Sequence, residues 1–348
     1  MSDKSKYINL LITIGVSMAI GAVLMVALGY NPIDAYFHLF RGAFYGKLNL
    51  GTTLQKFTPL LITSLAFIVS ARAGGFNVGV EGEMYLGAIA AAWLGFALHG
   101  IPAPLHILIC FLGAMAVGAA WAYIPASLKA YFGVNEVCVT ILLNYVAKYI
   151  TSFLVNGPLS AKTGVPQTPV VDKSIMLFRL LKPSQANAGF FIGIIVAIFI
   201  YWLLTKSTIG YKFTTVGFNP KHAEYIGINP KKQLIYSMMV SGVMGGIAGA
   251  IEVLGVYGYF LDNFSSGIAM DGMLAALIVK NDIRMAPLMA LFLAVLKSGA
   301  LGMERYTGVP KGIVDTIIAI FIIFATMDAL FSWHRKKKAA KETLKPAA

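Results

Sequence analysis

LHILICFLGAMAVGAAWAYIPASL, residues Leu105–Leu128, contains no Asp, Glu, Lys or Arg and is long enough to cross the hydrocarbon core of a bilayer. Apolar runs of similar length recur along the whole chain, which is 58% hydrophobic and only 12% charged. Because soluble domains usually carry about 25% charged residues, the composition argues against a water-soluble fold. The sequence therefore predicts an all-α integral membrane protein with one transmembrane domain over residues 1–348.

The apolar runs predict about ten transmembrane helices, by the length that a bilayer requires. They are Ile8–Gly29, Leu54–Ala71, Met84–Leu98, Leu105–Leu128, Val137–Val155, Phe190–Thr205, Leu234–Tyr257, Gly267–Val279, Ala286–Leu301 and Gly312–Trp333. The runs that begin at Met84 and Gly267 are short and flanked by glycine, which is also typical of broken or re-entrant helices. Each follows a similar motif, VEGEM from Val80 and MDGML from Met270. This weak similarity is as compatible with chance as with two inverted five-helix repeats, an architecture found in many transporters.

Lys and Arg are concentrated in alternate connections between the apolar runs. With the N-terminus inside, the basic 206–232 segment and the basic tail at residues 334–348 both lie on the inner side. Since cationic loops are retained on the cytoplasmic face, we expect both termini to be cytoplasmic. This distribution accounts for the net charge of +13 without nucleic acid, because no basic stripe alternates with exposed aromatic residues.

The stretch FNVGVEGEMYLGA, which begins at Phe76, places polar side chains at the start of an apolar run. Lipid cannot satisfy the polar groups of Asn77 and Glu81, so both must face protein or water. One interpretation is a broken helix that lines a translocation pathway. The other, slightly favoured, is a tight turn whose acidic residues cap a helix N-terminus. Phe76, Asn77 and Glu81 are therefore candidate pathway residues.

Asn144 and Asp271 are two further candidates for the pathway. A buried amide such as that of Asn144 can donate and accept at once, which suits a solute hydroxyl or a base edge. Hydrogen bonding between membrane helices is the commoner use of such an amide. Asp271, beside Gly272 at the start of a short run, either caps that helix or faces a cavity.

Lys148, Glu252 and Lys297 are ionisable residues that lie inside apolar runs. Lys148 is expected to extend its amino group to the membrane interface. For Glu252, an ion pair with Lys297 across helices is favoured over proton coupling.

The longest inner polar segment reads KSTIGYKFTTVGFNPKHAEYIGINPKK, residues 206–232. Between Pro220 and Pro230 the pattern predicts a short helix, with Asn219 as its N-cap and Gly227 to Asn229 at its end. Such a helix between two spans is suited to docking on another protein, and an ordinary solvated loop is equally favoured by the pattern.

Residue types and spacings give no indication of an active site. The five histidines are scattered without metal-ligand spacing, and no glycine-rich phosphate loop with Lys and Ser or Thr is present. We therefore expect a transport subunit rather than an enzyme, with no cofactor or metal bound by this chain.

Five stretches carry a family resemblance: RAGGFNVGVEGEMYLGA from Arg72, VNEVCVTILLNYVA from Val134, STIGYKFTTVGFNPKHAEYIGINPKK from Ser207, SGVMGGIAGAIEVLG from Ser241 and GVPKGIVDTIIAIFIIF from Gly308. They resemble the permease subunits of ATP-binding-cassette (ABC) importers in the branched-chain amino acid and simple-sugar permease family, above all nucleoside permeases of Gram-positive bacteria. The resemblance implies nucleoside import across a bacterial plasma membrane. It also implies a second, related permease chain, ATPase subunits that bind ATP and Mg²⁺, an extracellular solute-binding lipoprotein and surrounding lipid.

The same resemblance assigns a coupling helix to the 206–232 segment. The residues implied to contact the ATPase are Asn219, Lys221, Ala223, Glu224, Gly227, Ile228 and Asn229. Lys280-Asn281-Asp282 departs from the glycine-containing turn common in the family, which weakens inferences about substrate from that region. The alternatives are an ABC permease for simple sugars such as ribose, and an ion-coupled secondary transporter that uses Lys148, Glu252 and Lys297.

Overall fold

The computed structural model describes residues 3–320, and its regular elements are helices. No β-strand occurs in this range, where Gln167 with Leu261 and Arg179 with Asn187 form isolated bridges. The α-helices are α1 Asp3–Ala27, α2 Pro32–Phe44, α3 Lys47–Arg72, α4 Val80–Ala97, α5 Ala103–Phe132, α6 Glu136–Asn156, α7 Gly189–Lys206, α8 Thr208–Phe218, α9 Pro220–Tyr225, α10 Pro230–Ile251, α11 Ile268–Ile278 and α12 Ala286–Thr307. A 3₁₀ turn spans Lys173–Ile175, a π-helical turn spans Glu252–Tyr257, and residues 311–320 are helical.

Six helices within residues 3–320 are long and apolar enough to cross a membrane, judged by length and composition. They are Lys47–Arg72, Ala103–Phe132, Glu136–Asn156, Gly189–Lys206, Pro230–Tyr257 and Ala286–Thr307, and Ile14–Ala27 and Ile268–Ile278 are shorter apolar helices. The prediction of an all-α, multi-pass membrane protein is therefore confirmed. Of the predicted last span, residues 321–333 lie outside the described residues, as does the whole basic tail at 334–348.

Residues 3–45 and 295–320 belong to one compact unit, and residues 46–294 form a second. The first unit contains α2, which the apolar runs did not predict because this helix has only 13 residues and includes Asp34, His38 and Arg41. Ile33 and Phe37 of α2 are exposed, whereas Leu39 and Gly42 are buried. A Cβ added to Gly42 would lie 2.7 Å from the Cα of Gly302, so α2 and α12 approach each other closely here.

In the second unit the core is built around α10, which packs against α3, α4 and α5. Glycines of α10 allow this approach, because a Cβ added to Gly242, Gly246 or Gly249 would lie 2.2–2.3 Å from a carbonyl oxygen of a neighbouring helix. In contrast, α5 and α6 are mostly exposed, since only 28% of the most apolar stretch of α5 and 17% of that of α6 is buried. These outward helices expose the apolar surface that lipid covers in a membrane protein.

The connection between α6 and α7, residues 157–188, is attached by its main chain to the segment that follows α10. The N–H groups of Thr168, Val171 and Leu177 donate to the carbonyl oxygens of Phe260, Gly258 and Leu254 at 3.0, 2.8 and 2.9 Å. Within this connection, the N–H of Ser174 donates to the Asp172 carboxylate at 2.9 Å and holds the pKa of Asp172 below its usual value. The long connection is thus an ordered part of the second unit.

Candidate functional site

The turn between α3 and α4 carries the first predicted pathway residues. After Arg72 the chain turns through Gly74, whose φ of +79° is readily adopted only by glycine. Phe76 is half-buried and packs edge-on against Phe67, with 4.7 Å between the ring centroids. The 73–79 turn is thus a packed connection that leads directly into α4 at Val80.

Asn77 connects this turn to two helices. Its side chain is 0% exposed, and its Oδ1 accepts a hydrogen bond from the N–H of Gly79 at 2.9 Å. Its Nδ2 donates to Oε1 of Glu83 in α4 and to Oγ of Ser241 in α10, each at 2.9 Å. Glu83 and Ser241 were not among the predicted pathway residues. The motif VEGEM shows that Glu83 lies near a helix start, but no local pattern identifies Ser241 as its neighbour.

Glu83 is 1% exposed, and its Oε2 has no hydrogen-bond partner in the described part of the chain. The side chain lies against Gly245, since a Cβ added there would be 2.8 Å from Cβ of Glu83. A carboxyl group in such a place is costly to bury unless hydrogen bonds compensate it. The two donors of Asn77 are therefore important for the packing of α4 on α10.

Asn144 uses both ends of its amide on the start of α4. Its Oδ1 accepts from the N–H of Gly82 at 2.8 Å, and its Nδ2 donates to the carbonyl oxygen of Val78 at 2.9 Å. In this conformation the amide therefore connects α6 to the turn and to α4. Its role as a pathway-lining residue stays a prediction.

Glu81 caps the N-terminus of α11. Its carboxylate accepts hydrogen bonds from Oγ of Ser265 and, at 2.8 Å, from the N–H of Ala269. The hydroxyl of Tyr85, one turn along α4, donates to the carbonyl oxygen of Ser265 at 2.7 Å. A negative charge at a helix N-terminus is favourable, so Glu81 holds the start of α11 against α4.

Asp271 lies two residues after Ala269, in the first turn of α11, and is half-buried. The next residue, Gly272, faces α3, because a Cβ added there would be 2.0 Å from Oγ1 of Thr63. The structure thus brings Asp271 to the helix start that Glu81 caps. Phe76 and Asn77 lie in the turn that precedes α4, and Asn144 binds to the carbonyl oxygen of Val78 in the same turn.

An aromatic cluster adjoins the Glu81 cap. The ring of Phe264 lies 5.0 Å from that of Tyr85, 5.5 Å from that of Phe260 and 6.1 Å from that of Tyr257, measured between centroids. Tyr85, Phe260 and Phe264 are buried, whereas Tyr257 is half-buried. The cluster packs the π-helical end of α10 against α4 in this conformation.

Glu252 stands at the start of the π-helical turn and is 3% exposed. Lys56 of α3 is close enough for its positive charge to act on this carboxylate. Lys56 was not among the residues predicted to interact with Glu252. An ion pair between Glu252 and Lys297 stays a prediction.

The short helix predicted within the 206–232 segment is present as α9. Asn219 is its N-cap and accepts from the N–H of His222 at 3.1 Å, as the sequence predicts. The helix spans Pro220–Tyr225, so it ends earlier than predicted, and Gly227 follows with a φ of +80°. Asn229 then caps α10 by accepting from the N–H of Lys232 at 3.1 Å. The residues before Asn219 form α8 rather than a loop.

Large side chains are left uncovered around α9. Phe218 is 86% exposed and Tyr225 is 91% exposed, and Lys221 and Glu224 are exposed as well. Ala223, in contrast, is fully buried and packs α9 against the rest of the unit. Within the described residues, no group of three or more His, Cys, Asp or Glu is placed to hold a metal ion.

The family model described as the permease component of the branched-chain amino acid transport system matches residues 49–327. The chain belongs to this family. The family resemblance noted from the sequence motifs is thereby confirmed. Members of this family are transport subunits, so the described fold is that of a transport-system permease.

Several relatives of this permease match almost their whole length. The guanosine ABC transporter permease protein NupP of Bacillus subtilis is 36% identical over 318 residues, 90% of this chain and 91% of the relative. The nucleoside ABC transporter permease protein NupB of Lactococcus lactis is 34% identical over 335 residues, 93% and 92% of the two chains. The glucose ABC transporter permease protein TsgB13 of Haloferax volcanii is 31% identical over 335 residues, 93% and 88% of the two chains.

Proposed function

We propose that this chain is the membrane-spanning permease subunit of an ABC importer for nucleosides. The observation that carries the proposal is the similarity to two permeases named for guanosine and nucleosides, at 36% and 34% identity over nine-tenths or more of each chain. A simple sugar is the second candidate, because the relative named for glucose is 31% identical over a similar length.

The chain needs partners to work in this way. ATP and Mg²⁺ bind to separate ATPase subunits, and α9 with Asn219, Lys221, Ala223, Glu224, Gly227, Ile228 and Asn229 is the coupling helix on which they act. Two exposed aromatic residues support this, Phe218 at the end of α8 and Tyr225 at the end of α9, since large aromatic side chains are common anchors at protein interfaces. A second, related permease chain and an extracellular solute-binding lipoprotein complete the importer.

The membrane arrangement has about ten spans in two inverted five-helix repeats, an order common among transporters, within one permease domain. Two helices with acidic residues in their first turns, α4 and α11, support such a repeat, because helices that begin with polar groups inside the membrane surround substrate sites in transporters. Both termini, including the basic tail at 334–348, lie in the cytoplasm of a bacterial plasma membrane.

Transport follows alternating access. The loaded binding protein docks on the outer connections, including residues 157–188, and ATP-driven closure of the ATPase subunits displaces α9. The energy for reorientation comes from the different affinities of ATP for the two states of the complex, because a ligand shifts an equilibrium only by its differential affinity. Phe76, Asn77, Glu81, Asn144 and Asp271 are the proposed pathway residues.

The test is uptake by proteoliposomes that contain the complete importer, with and without ATP inside. Radiolabelled guanosine, cytidine and ribose are compared, and an uncoupler is added in a parallel series. Uptake of nucleosides that requires ATP and ignores the uncoupler is expected. Uptake of ribose alone would favour the sugar alternative, and uptake that the uncoupler abolishes would favour an ion-coupled transporter that uses Lys148, Glu252 and Lys297.

A further inference from the structure

The end of α8 lies directly against the turn that precedes α4. A Cβ added to Gly217 would be 2.2 Å from the carbonyl oxygen of Arg72 and 3.2 Å from the N of Gly74. Conversely, a Cβ added to Gly74 would be 3.6 Å from the Cα of Gly217. The two main chains are therefore in contact with no side chain between them.

The beginning of α10 lies against the same turn. A Cβ added to Gly75 would be 2.8 Å from Cδ1 of Leu234 and 3.5 Å from Cγ of Met238. Because α8, α9 and α10 follow one another in the chain, the 73–79 turn is in contact with the elements on both sides of α9. Any displacement of α9 that moves these two ends is transmitted to the turn.

Beyond the turn, the contacts continue into the site. Asn77 binds Glu83 and Ser241 through its two N–H groups, and Glu81 binds the N–H of Ala269 at the start of α11. Asn77 and Glu83 are buried. A closely packed series of contacts thus runs from the segment around α9 to α11, and packed interiors transmit displacement because they are hardly compressible.

We infer that the contact between Gly217 and the Arg72–Gly74 turn transmits the displacement of α9 to the start of α4. Gly217 is accordingly a positioning residue for transport, since it acts through the turn and not on the solute. The inference rests on the proposed function, in which an ATPase acts on α9.

The test measures nucleoside molecules imported per ATP hydrolysed, using the complete importer in proteoliposomes. In Gly217→Ala this ratio is expected to fall by about tenfold while ATP hydrolysis stays near the wild-type rate, because an added methyl group forces the two main chains apart. Gly15→Ala in α1 is the matched control, since its Cβ would meet no atom within 4 Å. The control is expected to keep the wild-type ratio.

If Gly217→Ala fails to insert into the membrane or to assemble, a second variant tests the inference. Leu234→Ala removes the contact on the other side of the turn without adding bulk, and it should lower the same ratio. The inference is overturned if Gly217→Ala assembles and keeps the wild-type ratio, or if Leu234→Ala lowers uptake and hydrolysis equally or leaves both unchanged. A wild-type complex without ATP-driven nucleoside uptake would instead contradict the proposed function, and this inference with it.

Discussion

Asn77 is the one polar side chain of the 73–79 turn, and it makes three hydrogen bonds. It accepts from one main-chain N–H and donates to side chains of α4 and α10, all within 2.9 Å. Two of these partners, Glu83 and Ser241, are themselves buried. The Asn77 amide therefore offsets part of the free-energy cost of burying the Glu83 carboxyl group.

Replacement of Asn77 by Ala should lower the thermal stability of the detergent-solubilised protein. The change leaves buried polar groups without their partners, which costs about 1–3 kcal/mol for each unsatisfied group. The melting temperature, followed by circular dichroism, is the measurement. Asn156→Ala is the control, because Asn156 is exposed and bonds only to Ser152 in its own helix. Equal melting temperatures for the two variants would contradict the interpretation.

Glu81→Gln tests whether the cap on α11 matters for transport. Ser265 and Ala269 donate to different oxygens of Glu81, and glutamine replaces one of these oxygens by an NH2 group. Glutamine therefore cannot make both bonds in this geometry, and it lacks the charge that favours a helix N-terminus. We expect a lower maximal rate of nucleoside uptake at unchanged protein level. Uptake at the wild-type rate would assign Glu81 a purely local capping role.

At the scale of elements, helix caps and apolar runs were accurate guides to structure. Asn219 lies between α8 and α9 and is the N-cap of α9, because its short side chain accepts a hydrogen bond from the N–H of His222. N-caps of this kind can be predicted from sequence. Helix α2 was missed because its 13 residues include Asp34, His38 and Arg41 and do not form an apolar run long enough to cross a bilayer. Ser241 was missed for a different reason, since only tertiary packing decides which polar residue of α10 meets Asn77.

Asn219→Ala should weaken binding of the ATPase subunits. Loss of an N-cap costs about 1 kcal/mol, which is a large share of the stability of a helix as short as α9. Co-purification of the ATPase with the tagged permease is the measurement. Asn31→Ala provides the matched control, because Asn31 caps α2 through the same type of bond, to the N–H of Ile33. Equal ATPase recovery from both variants would argue against α9 as the docking element.

For the whole molecule, the orientation in the membrane is open to direct measurement. In the proposed topology, positions 173 and 221 lie on opposite sides of the membrane. A cysteine is introduced at one or the other position in a background with Cys110→Ala and Cys138→Ser. A membrane-impermeant maleimide applied to intact cells should label Lys173→Cys and leave Lys221→Cys unlabelled until the cells are permeabilised. The reverse pattern would invert the proposed topology. The measurement is informative because cationic connections set orientation only statistically.

Composition alone was sufficient for the class of protein, since no soluble fold accommodates so many long apolar runs. The number of spans was harder to predict, because α11 has 11 residues and both α4, with 18 residues, and α11 carry acidic residues in their first turns. Such helices are stabilised by their neighbours in the protein rather than by lipid, so their length and hydropathy are weak signals.

The connection between α6 and α7 is held by amide-to-carbonyl bonds of its backbone, as at Thr168, Val171 and Leu177. Bonds of this kind are indifferent to side-chain identity. The exposed side chains of Thr163 and Val165 can therefore be exchanged at little cost, which makes them suitable sites for a fluorophore, whereas Gly164 has a φ of +80° that favours glycine. The main chain thus sets the shape of this connection, while its exposed side chains are left to determine what can bind there.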